Sequence, residues 1–254
     1  MPATPTRLGY GCARLFEHAR DGQAHALLET ALDHGIRHID VGRSYGDGRT
    51  EWLVGDVAKQ RRDEMFIATK AGIDPPGWLD RVARKIKSPL GSADSWTRRR
   101  SGRFGAEQIA MSALHSLRAL RVDRIDLLLL HECEPHHLTD ELLWMLRRIR
   151  SDGYIRYFGI ATSLDATRAI LSSAPEFCDF VQVCDGTGAD LPMAPRGLIT
   201  HSILSRSNGC DKTPSVLLTH ALERNPHGTV LFSSGSRRHI AENAQTLAQL
   251  QCVR

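Results

Sequence analysis

A carboxylate, a phenol, an ammonium and an imidazole stand at the ends of three short apolar runs. Ile36-Arg37-His38-Ile39 leads into Asp40, with Tyr45 just beyond; Met65-Phe66-Ile67-Ala68-Thr69 leads into Lys70; Leu127 to Leu130 leads into His131. A phenol placed beside an ammonium and an imidazole can act as a proton donor, because a nearby cation favours phenolate and draws the tyrosine pKa towards working pH. That chemistry needs these residues to meet although they are far apart in sequence.

Short apolar runs bounded by polar segments read as buried parallel strands with helices between them. In a closed (β/α) barrel the C-terminal ends of all strands open on one face, where they bring such groups together. Helical spacing is expected over Gly22 to His34, ended by Gly35, and over Thr50 to Lys59 ahead of a strand from Glu64 to Thr69. A helix from Ala106 to Leu120 precedes the Ile125 to Leu130 strand. Helices over Thr139 to Arg150, Leu164 to Ser173 and Thr213 to Arg224 alternate with strands at Ile155 to Ala161, Phe180 to Cys184, Gly197 to Thr200 and Thr229 to Phe232. With a first strand near Leu8 to Cys12, or a small N-terminal hairpin there, the count approaches eight. The expected fold class is α/β, a (β/α)8 TIM barrel. Periodicity alone also admits a doubly wound open sheet, but no Gly-x-Gly-x-x-Gly follows the first strand.

The chain has 254 residues, which one barrel domain over 1–254 would use completely. Its formal charge of +4 does not imply nucleic-acid binding and suits an anionic ligand. Cysteines without a Cys-x-x-Cys pair and an N-terminus lacking an apolar region lead to the expectation of a cytoplasmic protein, and no apolar stretch suggests a membrane span. The longest irregular segment is 71–105; its Arg98-Arg99-Arg100 cluster plus Arg103 reads either as a solvated charge group or as an anion clamp over the site.

The stretch Asp40-Val41-Gly42-Arg43-Ser44-Tyr45-Gly46-Asp47-Gly48-Arg49-Thr50-Glu51 closely resembles the signature of the aldo-keto reductase family. The resemblance is carried further by Ala68-Thr69-Lys70-Ala71-Gly72, Asp126 to His131, Phe180-Val181-Gln182-Val183, and Val230 to Ser236 leading to His239-Ile240-Ala241-Glu242-Asn243. It implies a (β/α)8 barrel that binds a nicotinamide cofactor, NADP(H) with NAD(H) as the alternative, and passes a hydride to a small-molecule aldehyde or ketone. Tyr45 would be the general acid, Lys70 paired with Asp40 would lower its pKa, and His131 would orient the carbonyl oxygen.

By the same resemblance the cofactor would lie against Gly11 and Cys12, Thr162, Gln182, and His201, Ser202 and Leu204. Its adenosine end would lie against Ser234, Gly235, Ser236, Arg237, Arg238, His239, Glu242 and Asn243. Several positions depart from the family pattern. Ala161-Thr162 replaces the usual Ser-Asn, His201 stands where an aromatic ring commonly stacks on the nicotinamide, and Ser233 and His239 replace the usual cations near a 2′-phosphate. Arg237 or Arg238 could take over that contact, since a guanidinium fits a phosphate well. The chain runs only eleven residues past Asn243 and the stretch from Ser205 to Lys212 is short, so an open substrate site, or one completed by another chain, is expected. His131-Glu132-Cys133-Glu134-Pro135-His136-His137 holds metal-ligand residue types at a spacing that matches no common zinc pattern. The weakened nicotinamide contacts admit a second reading, a cofactor-binding sensor or regulatory subunit without catalysis.

Overall fold

The computed structural model describes residues 3–76, 102–186, 191, 196–203 and 213–252. Most of the long segment at 71–105, including Arg98, Arg99 and Arg100, lies outside the described residues, as do Leu204 and the stretch from Ser205 to Lys212. Eight parallel strands are present: β1 (Leu8–Gly11), β2 (His38–Asp40), β3 (Phe66–Ala71), β4 (Ile125–His131), β5 (Ile155–Ala161), β6 (Phe180–Cys184), β7 (Gly197–His201) and β8 (Thr229–Phe232). They pair in chain order and close into a barrel, with Leu8 opposite Val230 and Gly9 opposite Leu231. That closure decides between the barrel and the open sheet.

The described α-helices are α1 (Leu15–His18), α2 (Asp21–Asp33), α3 (Arg49–Arg61), α4 (Ala106–Leu120), α5 (Asp140–Ser151), α6 (Leu164–Ser173), α7 (Pro214–Arg224) and α8 (Arg237–Cys252). Gly35, at φ 75°, takes the left-handed position that ends α2. Thr139 and Ser163 accept the Leu142 and Ala166 N–H groups at 3.2 Å each, so α5 and α6 start one residue after these caps. Three details differ from the sequence expectation. Glu64 belongs to a short 3₁₀ turn, Arg62–Glu64, so β3 begins at Phe66 and runs through Lys70 to Ala71. β1 stops at Gly11, and the single-turn helix α1 had no periodic signal.

Side chains alternate across each strand, and both faces are buried, one in the barrel and one under the helices. Phe66, Leu127, Leu129, Phe180, Ile199 and Leu231 fill the interior, whereas Ile67, Leu128, Leu130 and Val181 pack in the outer core. Close approach is enforced by glycine at two points. A Cβ on Gly55 would lie 2.4 Å from the Ala119 carbonyl oxygen, so α3 and α4 touch backbone to backbone. A Cβ on Gly159 would lie 2.1 Å from the Phe180 oxygen, between β5 and β6.

The interior also holds an unusual base. His38 is fully buried one inward position below Asp40, its ring 5.2 Å from that of Phe66, and neither ring nitrogen has a hydrogen-bond partner among the described residues. Burial lowers its pKa from 6.5 to about 4, the Asp40 charge opposing and the Lys70 charge assisting. Between these values the unfolded chain takes up a proton that the folded one refuses. Stability is therefore expected to fall as pH drops from 6.5 towards 4, by roughly 3 kcal/mol from this group. Melting temperature measured across that range should fall less steeply in His38→Leu than in the wild type; parallel curves would dismiss His38 as the cause.

Candidate active site

Strand alternation determines which groups meet at the barrel mouth. With Phe66 and Ala68 inside, Lys70 is the next inward residue of β3; with Leu127 and Leu129 inside, the next on β4 is His131. The same step gives Asp40 above His38, Gln182 above Phe180, and His201 above Ile199. All five side chains line one cavity of about 1180 Å³.

Lys70 Nζ donates to both Asp40 oxygens, at 2.6 and 2.7 Å, and to the Val41 carbonyl oxygen at 3.0 Å. Gln182 Nε2 donates to Asp40 Oδ2 at 3.1 Å. The pair is only 2–3% exposed, and Gln182 adds a side-chain donor to the carboxylate beyond those of Lys70. Tyr45 reaches the same point from a loop. Its 3₁₀ turn, Tyr45–Gly48, contains three consecutive left-handed residues, Gly46 (φ 56°), Asp47 (φ 58°) and Gly48 (φ 90°), which fold the chain back over the mouth. Phe16 lies so close above Gly46 that an added Cβ would stand 2.5 Å from its ring. The Tyr45 ring sits 4.9 Å from Lys70 Nζ and meets His131 edge-on, with centroids 6.0 Å apart at 85°.

Burial works to lower the Lys70 pKa, but the Asp40 carboxylate, with Tyr45 assisting, holds the ammonium above its ordinary value. Burial pushes the Tyr45 phenol up; the Lys70 charge pulls it down without reversing the shift. The simple expectation of a lowered tyrosine is thereby corrected, because desolvation outweighs the cation. His131 is pushed down to about 3 by burial and by the fields of Lys70 and His201, so its imidazole is neutral at ordinary pH. Beneath the site Glu51, the acidic residue of the signature, accepts from Thr69 Oγ1 at 2.6 Å and ties α3 to β3; burial raises its pKa.

Of the residues expected at the cofactor, Gly11, Thr162, Gln182, His201 and Ser202 line the cavity. Cys12 does not. It has the opposite parity to Gly9 and Gly11, packs in the outer core and is fully buried. The Thr162 hydroxyl donates to the Cys133 carbonyl oxygen at 2.8 Å, holding the β4 and β5 loops together. His201 Nδ1 lies 2.8 Å from Ser202 Oγ. Ser234, Gly235 and Ser236 form the turn into α8, where Ser234 Oγ accepts the Ser236 N–H at 3.1 Å and Ser236 Oγ accepts the His239 N–H at 3.4 Å. Arg237 Nε donates to Thr30 on α2 at 3.0 Å, and exposed Arg238 pairs with Glu242 at 3.2 Å, one turn before the half-buried Asn243 side. None of the residues from Ser234 to Asn243 touches the central cavity.

Gln182 Oε1 is buried without a hydrogen-bond partner among the described residues, while its Nε2 is held by Asp40. A buried acceptor of this kind fits the amide N–H of a nicotinamide. Among the cavity residues that the sequence reading did not name as ligand contacts are Arg14, Glu132 and Ser163. Ser233, which the resemblance aligned with the usual cation near a 2′-phosphate, lines the central cavity just past the end of β8, two positions beyond Leu231. Glu132 depends on a left-handed backbone that no local pattern announces.

Residues 7–183 match the sequence model of the aldo/keto reductase family, which covers β1 to β6 and Asp40, Tyr45, Lys70, His131 and Gln182. The chain is 35% identical over 179 residues to a D-threo-aldose 1-dehydrogenase from a Pseudomonas species, covering 64% of this chain and 52% of that protein. It is 29% identical over 182 residues to a pyridoxal 4-dehydrogenase from Microbacterium luteolum, covering 63% and 53%. The aligned part thus spans about half the length of these curated relatives. In fold the chain is like an aldo-keto reductase from Klebsiella pneumoniae solved in complex with NADPH, with a TM-score of 0.67 at 20% identity over 97% of this chain and 90% of that one.

Proposed function

The chain belongs to the aldo/keto reductase family, and from that membership we propose that it is an oxidoreductase acting on an aldehyde or ketone with a nicotinamide cofactor. The observation that carries this reading is the phenol of Tyr45 set between the buried Lys70–Asp40 pair and a neutral His131 at the mouth of one cavity. When bound, the cofactor supplies the hydride. Gln182 would hold its carboxamide through the unpaired Oε1, beside Gly11, Thr162, His201 and Ser202, and the start of α8 would take its adenosine end.

The protein's own residues handle the oxygen. A neutral imidazole presents an N–H to the carbonyl oxygen without itself competing as the acid, so His131 orients and polarises. Tyr45, kept protonated by burial, gives its proton to the oxygen as negative charge develops there. The phenolate left behind is stabilised by Lys70, whose own charge is fixed by Asp40. In the reverse direction Tyr45 serves as the base. The names of the two dehydrogenase relatives support chemistry at an aldehyde or its alcohol.

The test is oxidation of NADPH and NADH by the purified protein with a panel of aldehydes, including a single-turnover format. Turnover is expected. Cofactor binding without hydride transfer to any of them would overturn the enzyme reading in favour of the non-catalytic sensor.

We further expect NADPH to bind more tightly than NADH. Arg237 and Arg238 open α8, whose first N–H groups add to the attraction for a phosphate. A charge-assisted contact contributes ~1.5–3 kcal/mol, or roughly tenfold or more in affinity. Fluorescence titration of both reduced cofactors should show this preference and its loss in Arg237→Ala or Arg238→Ala. Equal affinities in the wild type, or no selective loss in either variant, would defeat the assignment.

A further inference from the structure

Two carboxylates on the cavity wall, Glu132 and Glu134, have no ion pair among the described residues, and the reaction uses neither. Among the charged side chains lining the cavity, Lys70 and Asp40 neutralise each other, Arg14 pairs with Glu17 at 3.6 Å, and the Glu134 carboxylate accepts the His137 backbone N–H. Glu132 follows His131 directly, and its carboxylate has no hydrogen bond or ion pair among the described residues. Its backbone N–H bonds to the Ala161 carbonyl oxygen at 2.7 Å, extending the β4–β5 ladder, and Cys133 beyond it is fully buried. To satisfy both neighbours Glu132 adopts φ 56°. A glycine would hold that conformation with less strain; the turn places Glu132 on the cavity wall next to His131.

We propose that Glu132 is a specificity-determining residue: its carboxylate favours carbonyl substrates bearing hydroxyl groups or a positive charge and rejects those bearing a carboxylate or phosphate. This rests on the carbonyl-reducing reading of the same cavity. The physical basis is a fixed negative charge that no described cation balances. Glu132 is exposed and solvent screens it, but an acidic substrate seated in the cavity must still bring a further negative charge towards it, whereas a hydroxyl donor gains a charge-assisted hydrogen bond.

The experiment compares benzaldehydes with para-hydroxymethyl, para-trimethylammonio and para-carboxy groups, each kcat/KM divided by the same protein's value for benzaldehyde. Wild type, Glu132→Gln and Glu132→Lys are measured side by side, together with the thermal stabilisation that benzoate gives each protein without cofactor. The wild type should disfavour the carboxylate by on the order of tenfold or more, Glu132→Gln should remove most of that gap through KM, and Glu132→Lys should invert it. Benzoate should stabilise both variants more than the wild type. Equal relative kcat/KM values in all three proteins, with equal benzoate stabilisation, would overturn the role of Glu132 and leave the reductase reading intact. No turnover of any aldehyde, with benzoate still separating the variants, would overturn the reductase reading and leave the charge selection standing. Neither turnover nor a benzoate difference would overturn both.

Discussion

Tyr45→Phe is expected to slow carbonyl reduction by about 10²–10⁴-fold, the range typical of a lost general acid, with cofactor affinity close to that of the wild type. The substitution removes one oxygen and keeps the ring. Phenylalanine can retain the edge-on contact with His131 at 6.0 Å and the close packing over Gly42, where an added Cβ would lie 3.3 Å from the Tyr45 ring. The left-handed turn at Gly46 to Gly48 that aims the ring is untouched. Loss of rate with unchanged cofactor binding, measured by stopped-flow turnover and fluorescence titration, isolates the proton-transfer step. A folded variant keeping more than about half the wild-type rate would remove Tyr45 from the mechanism.

Lys70→Met should slow the reaction to a similar degree, and it should also move the pH profile. Opposed influences act on the phenol: burial raises its pKa, the Lys70 charge and its hydrogen bond lower it, and the Asp40 charge and Cys12 raise it. Removing the ammonium deletes the charge that lowers it and leaves Asp40 unneutralised, so both changes drive the tyrosine pKa upward and make it a weaker acid. The pKa governing proton transfer in the pH–rate profile should therefore rise. An unchanged profile would confine Lys70 to a structural role. Because an unpaired buried carboxylate costs about 3–5 kcal/mol, the Asp40→Asn, Lys70→Met double variant should be more stable than Lys70→Met, and its governing pKa should return part of the way while the reaction stays slow for want of the ammonium.

Much of the fold was legible because parallel strands under helices read as continuous apolar runs, and those at β2, β3 and β4 break at the barrel mouth on Asp40, Lys70 and His131. The proposed catalytic group follows from the same rule. Contacts set by partners distant in sequence were not legible. Arg237 is engaged by Thr30, 207 positions away, and the Thr162 hydroxyl is taken by a backbone oxygen of the preceding loop. Cys12, which the resemblance put beside Gly11 at the cofactor, packs in the outer core because odd and even positions of one strand face different cores. The phenol's direction of shift also could not be read from neighbouring charges, since it turns on how completely Tyr45 is removed from water.

The seam of the barrel has a consequence for how the molecule comes to exist. β1 completes its pairing only with β8, Leu8 against Val230, and the Tyr10 hydroxyl donates across the same seam to the Ser234 carbonyl oxygen at 2.7 Å. During synthesis the strands bearing Asp40, Lys70 and His131 emerge long before the strand that closes the ring. Loop closure over so great a separation is entropically slow, and chains of this size commonly pass through partly ordered intermediates. A half-made barrel would already pair Asp40 with Lys70 on adjacent strands, but the wall carrying His201 and Ser233 would be missing. Binding competence would then be a late kinetic event, and a ligand spanning β1, β7 and β8 would act as a clasp on the last step of folding.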